Sequence, residues 1–263
     1  MFVRARRAWI LLAAVVSVGL TASLGCWQLR RADQKIALAQ QAAQRQHDAP
    51  WHNADWPCTS LPASASTQPL PEQRPVALTG RWLADKVVYL DNRAMDGQAG
   101  FFVVTPLQLD PAPLCGPAWV LVQRGWVPRH QLDRAKLPPV ETPGGIVSVA
   151  GHLMADINRA YELGTELPLT PAVRSPLQRQ NMSRDDWRRW SGISPAVGAV
   201  LQADPSDMPA SGKQAVDTLK RAWPAPDTGV GKHHAYAAQW FAMALIITGL
   251  YVWFQLLRPS RAS

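Results

Sequence analysis

Charge is what this sequence has least of. Only 17% of its 263 residues are Asp, Glu, Lys or Arg, low for a soluble globular chain, while 47% are hydrophobic. The shortage is not evenly spread. All 19 acidic residues and 22 of the 27 basic ones lie between Arg30 and His234, whereas Ala8 to Leu29 and Ala235 to Leu257 contain no charged residue at all. These uncharged runs of 22 and 23 residues match the roughly 20 that a helix needs to cross a bilayer. The pI near 9.9 therefore does not indicate a nucleic-acid binder. Its surplus sits in short tails beside the apolar runs and not on a folded domain. Familiar catalytic signatures are missing as well. There is no glycine-rich phosphate loop, and no Gly-x-Ser-x-Gly, Cys-x-x-Cys, Cys-x-x-Cys-His or His-Glu-x-x-His motif. No internal repeat is visible.

What remains is two membrane spans around one domain of ordinary single-core size. The expected fold class is a pair of transmembrane α-helices, N- and C-terminal, flanking one α+β, mainly antiparallel β, extracytoplasmic domain. The expected divisions are 1–7 (tail), 8–29 (span), 30–234 (domain), 235–257 (span) and 258–263 (tail). The first run reads as a retained anchor, because Ser23-Leu24-Gly25-Cys26 inverts the residue order of a lipoprotein cleavage site. The second carries Trp240 near one end and Tyr251 and Trp253 near the other, as an aromatic belt would. Arg4, Arg6, Arg7, Arg258 and Arg261 occupy the short tails without a single acid, which places both tails in the cytoplasm. In a bacterium, the domain then faces the periplasm from the inner membrane. Cys58 and Cys115 would both lie there, leaving two readings, a disulfide or two separate thiols; Cys26 is at the membrane edge.

Arg30 to Gln46 is rich in Ala and Gln and reads as a helical extension of the first span. Six prolines between residues 50 and 75 make the next stretch a loop with no regular element. Five strand-like runs follow, VALTGRW, KVVYLDNR, FFVVTPLQL, AWVLVQRGWV and IVSVAGHLM, with no helical period between them. This favours an antiparallel sheet or small barrel over a doubly wound fold. Asp96-Gly97 is the hairpin signal, and Trp82, Trp119 and Trp126 are the expected large core residues. From Asn158 to Asp186 the chain again looks irregular. DDWRRWSGI and AVGAVLQAD then read as a closing strand pair or a short helix, with Asp185-Asp186 in a charged turn. His47, His52 and Cys58 match no common metal-site spacing and read as solvated loop residues. His130 and His152 read as surface or structural histidines, and Arg124 as either a solvated strand residue or a docking contact.

The approach to the second span is different. His233, Tyr236 and Trp240 fall on one helical face at the lipid interface. Two readings stand: an imidazole positioned to bind haem iron with aromatic cover, or an interfacial anchor at headgroup level.

Several motifs, in order, carry a resemblance. Gly25-Cys26-Trp27-Gln28-Leu29-Arg30 with Lys35 leaves the first span. Pro75-Val76-x-Leu78-x-Gly80, Leu90-x-Asn92-Arg93, and Gly100 to Thr105-Pro106-Leu107 cover the first strands. Arg124-Gly125-Trp126-Val127-Pro128, Gly151-His152-Leu153 and His233-x-x-Tyr236-x-x-Gln239-Trp240-Phe241 complete the set. Together they resemble the surfeit locus protein one family of cytochrome c oxidase assembly factors. The Pro-rich insert at 47–75 and the segment 158–182 hold no motif of that family. The resemblance implies a non-enzymatic factor for the haem-copper oxidase, binding haem a and assisting its insertion. His233 carries over as the axial ligand, while Trp27, Arg124, Gly125 and Trp126 carry over as structural elements without separate roles. Because both spans emerge on the same side, a helical hairpin could hold the haem among His233, Tyr236, Trp240, Trp27 and Arg30, with Arg30, Arg31 or Lys232 facing the propionates. The implied partners are the cytochrome c oxidase catalytic subunit, the haem a synthesis machinery and membrane lipid, with no nucleic acid.

Overall fold

The computed structural model describes residues 2–57, 70–114, 116–133, 136–157, 159–161, 169–170, 173–204, 217–223 and 229–258. It divides into two compact units, a helical one from residues 1–41 and 226–263 and a β-rich one from residues 42–225.

Helix α1 runs unbroken over Phe2–Arg45. The Ala- and Gln-rich stretch after the apolar run thus continues the helix, as its propensity predicts. Helix α3, Val230–Tyr251, continues as a π-helical segment over Val252–Leu257. Both helices are long and apolar enough to cross a membrane.

In the β unit the strands are β1 (Pro75–Trp82), β2 (Val88–Met95), β3 (Gln98–Leu109), β4 (Trp119–Pro128), β5 (Val147–Met154), β6 (Leu177–Arg179) and β7 (Pro195–Gln202). The five runs read from sequence are β1 to β5. The β2–β3 hairpin turns at Asp96 and Gly97, with φ of 51° and 76°. Positive φ at both central positions is the turn that matches strand twist, which is why Asp-Gly signals it.

The sheet closes on itself. β1 pairs antiparallel with β5, and its end pairs with the end of β3, Gly80 opposite Leu109 and Trp82 opposite Leu107. β5 pairs with β7, β7 with β4, and β4 with β3, completing a five-stranded ring from which β2 and β6 extend as a flap. Closure removes the open edges that an isolated sheet would expose. Two of the ladders, β4–β7 and β2–β6, are parallel, so the domain is mostly and not wholly antiparallel.

Three apolar clusters fill this framework. One gathers Val76, Leu78, Leu107, Val120, Val122, Val149, Leu153 and Val200 from the ring strands, together with Trp56. Trp56 corrects the sequence reading of its segment. Residues 53–55 form a short 3₁₀ turn, and Trp56 beside it is buried and edge-on to Trp51 at 6.4 Å. A second cluster lies under helix α2 (Arg184–Ser191), whose Trp187 and Trp190 meet Val88, Leu90, Val104 and Leu121. Of the two alternatives for this region, DDWRRWSGI makes the helix and AVGAVLQAD makes strand β7. Asp185 and Asp186 are therefore in a helical first turn and not in a loop turn. The Ser183 hydroxyl accepts from the Asp186 amide, and Asp186 accepts in return from the Ser183 amide. The third cluster holds Val87, Tyr89, Phe101, Val103, Val127 and Leu219.

Among the expected tryptophans, Trp126 is fully buried, but Trp82 and Trp119 are only half-buried because they end β1 and begin β4. Trp126 donates its indole N–H to the Arg93 carbonyl at 2.9 Å. Trp126→Ala is expected to cost about 3–5 kcal/mol, from the cavity it leaves and the carbonyl it orphans, measured by chemical denaturation. An unchanged midpoint would place Trp126 outside the core. Cys58 and Cys115 lie outside the described residues; Cys26 is an exposed free thiol on α1.

Candidate functional site

The helical unit is an antiparallel pair. On α1 the less exposed positions include Ala14, Val18, Thr21, Gly25, Gln28 and Ala32, and on α3 they include Val230, His233, Ala237, Trp240, Ala244 and Ile247. Alternating steps of three and four residues give each helix one continuous seam. The seam mixes small side chains, among them Ala14, Thr21, Gly25, Ala32, Ala237 and Ala244, with larger ones such as Val18, Gln28 and His233. A Cβ on Gly25 would stand 2.8 Å from the Phe241 ring. Towards one end, Ile10, Ala14 and Ser17 share a recess of about 350 Å³ with Ile247, Leu250 and Phe254.

Towards the other end, the seam turns polar. The imidazole of His233, in the first turns of α3, is half-buried, and its Nδ1 lies 2.7 Å from Oε1 of Gln28 on α1. With the Gln28 amide oxygen facing the ring, as it is placed, an acceptor meets Nδ1; that arrangement pairs with the Nδ1–H tautomer and a lone pair on Nε2. Partial desolvation and the positive charges of Lys35, Arg31 and His234 push His233 below the ordinary histidine range. The position near the N-terminus of α3 works in the same direction, since that end of the helix dipole disfavours a cation. Both influences favour the neutral form of the His233 imidazole. A half-buried neutral imidazole of this kind can ligate a metal ion or accept a proton.

The other residues singled out from sequence are distributed around this pair. Trp240 is half-buried, two turns along the α3 seam from His233, while Tyr236 is exposed on its flank. Trp27 and Arg30 line one open recess of about 510 Å³ on α1, with Arg31 and Gln34. Among the described residues, no hydrogen bond or ion pair joins Trp27 or Arg30 to His233. The partner that sequence reasoning passed over is Gln28. Helical spacing sets it on the same face as Thr21 and Gly25, but that spacing gives no notice of a partner on the other helix.

The Arg124-Gly125-Trp126 motif does something else. Arg124 is buried, which overturns both the solvated and the docking readings. Its guanidinium donates to the Thr142 hydroxyl at 2.8 Å and the Glu141 carbonyl at 2.7 Å, and stands 3.4 Å from the Asp217 carboxylate and 4.8 Å from the Trp82 ring centroid. Arg221 holds the same carboxylate at 2.6 and 2.7 Å and donates Nε–H to the Arg124 carbonyl. Burial lowers the proton affinity of Arg124 and Asp217 opposes that loss, while Arg221 adds to it. At Gly125 there is no room for a side chain, since a Cβ would come within 2.5 Å of Leu219 Cβ. Trp126 and Lys220 exchange backbone hydrogen bonds at 2.8 and 3.0 Å. The motif thus clamps residues 217–223 onto β4. His52 and His130 spend Nδ1 on the Ala77 carbonyl and the Asp133 amide, consistent with local structural roles.

In chain order, a closed ring of strands lies between two helices long and apolar enough to cross a membrane, which is consistent with membrane anchoring. Residues 15–245 match the family model described as the SURF1 family, and the chain belongs to that family. It is 30% identical over 116 residues to a SURF1-like protein of Dictyostelium discoideum, covering 44% of this chain and 41% of the relative. Surfeit locus protein 1 of Arabidopsis thaliana is 31% identical over 134 residues, 49% of this chain and 36% of the relative. A Drosophila melanogaster SURF1-like protein is 30% identical over 134 residues, with 45% and 41% covered. The matched region thus spans less than half the length of each of these relatives.

Proposed function

We propose that this protein is a membrane-anchored, non-enzymatic assembly factor for a haem-copper, cytochrome c type oxidase, and that it holds haem a for insertion into the catalytic subunit. Residues 8–29 and 235–257 span the bacterial inner membrane, both tails are cytoplasmic and the β domain is periplasmic. The observation that carries the cofactor assignment is the Gln28–His233 contact, which supports Nε2 of a neutral imidazole as a donor. Haem iron takes a neutral imidazole as axial ligand, and the flat macrocycle is suited to aromatic cover. His233 supplies the ligand. Tyr236, Trp240 and Trp27 offer apolar rings around it, and Arg30, with Arg31 and Lys232, pairs with the carboxylates of the propionates. The haem a synthesis machinery supplies the cargo, the oxidase subunit receives it, and the helix pair retains it at the membrane surface meanwhile.

The SURF1 match supports the oxidase-assembly setting. The experiment is purification of the full chain in mild detergent from cells that make haem a, followed by pigment analysis and an assay of haem-precursor turnover. A haem a spectrum without turnover is the expected result. Pigment-free protein that still binds oxidase subunits would replace the carrier with a scaffold, and turnover would replace it with an enzyme.

A further inference from the structure

Gln28 lies 205 residues from His233 in sequence, yet its side chain makes one hydrogen bond among the described residues, and that bond is to the imidazole. Its neighbours along the α1 seam are Thr21, Gly25 and Ala32, and among them Gln28 is half-buried with its amide turned to the other helix. The polarity of the contact decides what His233 can do. With Oε1 accepting from Nδ1–H, the Nε2 lone pair is available. With the amide rotated, its N–H would donate to Nδ1, the proton would move to Nε2, and Nε2 would cease to be a ligand.

We propose that Gln28 is the positioning residue of the axial ligand: its side-chain oxygen fixes the Nδ1–H tautomer and the ring orientation of His233, so that Nε2 alone faces the haem iron. This rests on the reading of His233 as the ligand. A hydrogen bond accepted from the ring N–H also raises the basicity of the opposite nitrogen, so Gln28 tunes the iron as well as aiming the ligand. The helix pair is then more than an anchor, since neither span alone can present an oriented imidazole.

The test uses the full chain in detergent, titrated with haemin, in four forms: wild type, Gln28→Leu, Gln28→Glu and His233→Ala. Haemin affinity and the reduction potential of the bound iron are read together, with far-UV circular dichroism to confirm that the helices remain. Gln28→Leu removes the acceptor and is expected to weaken haemin by about 10–100-fold, the usual loss when an outer-shell partner is deleted. Gln28→Glu can only accept, so it should retain affinity near wild type and shift the potential downward, because a carboxylate makes the imidazole a stronger donor to ferric iron. A mere helix-helix tie would not move the potential in that direction.

If Gln28→Leu binds like wild type, or if Gln28→Leu and Gln28→Glu weaken haemin equally with no downward shift, the positioning role is wrong while His233 stands. Should His233→Ala keep wild-type affinity and spectrum, the ligand reading itself falls, and the role of Gln28 with it.

Discussion

His233→Ala is expected to strip the purified protein of haem and abolish its Soret band, with both spans still inserted. Alanine removes the imidazole whose Nδ1 faces Gln28 on the other helix, and it touches neither uncharged run. His234→Ala should retain most of the pigment. One residue along a helix rotates the side chain by about 100°, so His234 leaves the seam, and it is exposed where His233 is half-buried. Absorbance per chain, measured on equal amounts of each membrane-extracted variant, checks the ranking. A pigmented His233→Ala protein beside a colourless His234→Ala protein would move the ligand one position along α3.

The second large effect is expected in the β domain, where Asp217→Ala should cost about 3–5 kcal/mol of stability. Two guanidiniums, those of Arg124 and Arg221, converge on this one carboxylate, and all three side chains are at most 4% exposed. The cluster already carries one positive charge in excess. Without Asp217, two like charges face each other away from water, and the Arg221 head group loses both of its carboxylate contacts. For a domain of this size, the loss corresponds to a fall in Tm of roughly 6–20 °C. Asp217→Asn should lose nearly as much, because it keeps the shape and removes the charge. Pairing Asp217→Ala with Arg221→Met should recover part of the stability, since the second change removes one of the stranded charges. Additive losses in that double variant would mean that the three groups do not form one network.

Local signals explain what the sequence revealed. An uncharged run of membrane length, the short β-branched and aromatic runs of β1 to β5 and the Asp96-Gly97 turn each depend on residues within a few positions of one another, and the helices, strands and turn stand in the structure where they were read. Barrel closure does not have that character. The ladder that closes the ring sets Gly80 against Leu109, and β7 enters in parallel beside β4 from more than 70 residues along the chain. No periodicity encodes such a register. The burial of Arg124 follows from Asp217, 93 residues away, and a lone arginine in a strand gives no notice of it. Trp56 was hidden for a different reason, because prolines around it erase the periodic pattern that would mark a core residue. In the helical unit, His233 was legible from its place before an apolar run. Gln28 was not, because its partner lies on the other helix, and helix pairing comes from a shared seam whose two halves stand at opposite ends of the sequence.

The central claim is that Nε2 of His233 ligates haem iron, and pulsed electron paramagnetic resonance tests it most directly. The full chain is labelled with ¹⁵N-histidine, loaded with haemin in detergent, and compared with the His233→Ala variant prepared in the same way. A hyperfine coupling from a histidine nitrogen to low-spin ferric iron is expected in the wild type, and its disappearance in the variant. A ferric centre with no histidine coupling in the wild type, or the same coupling in both proteins, would contradict it.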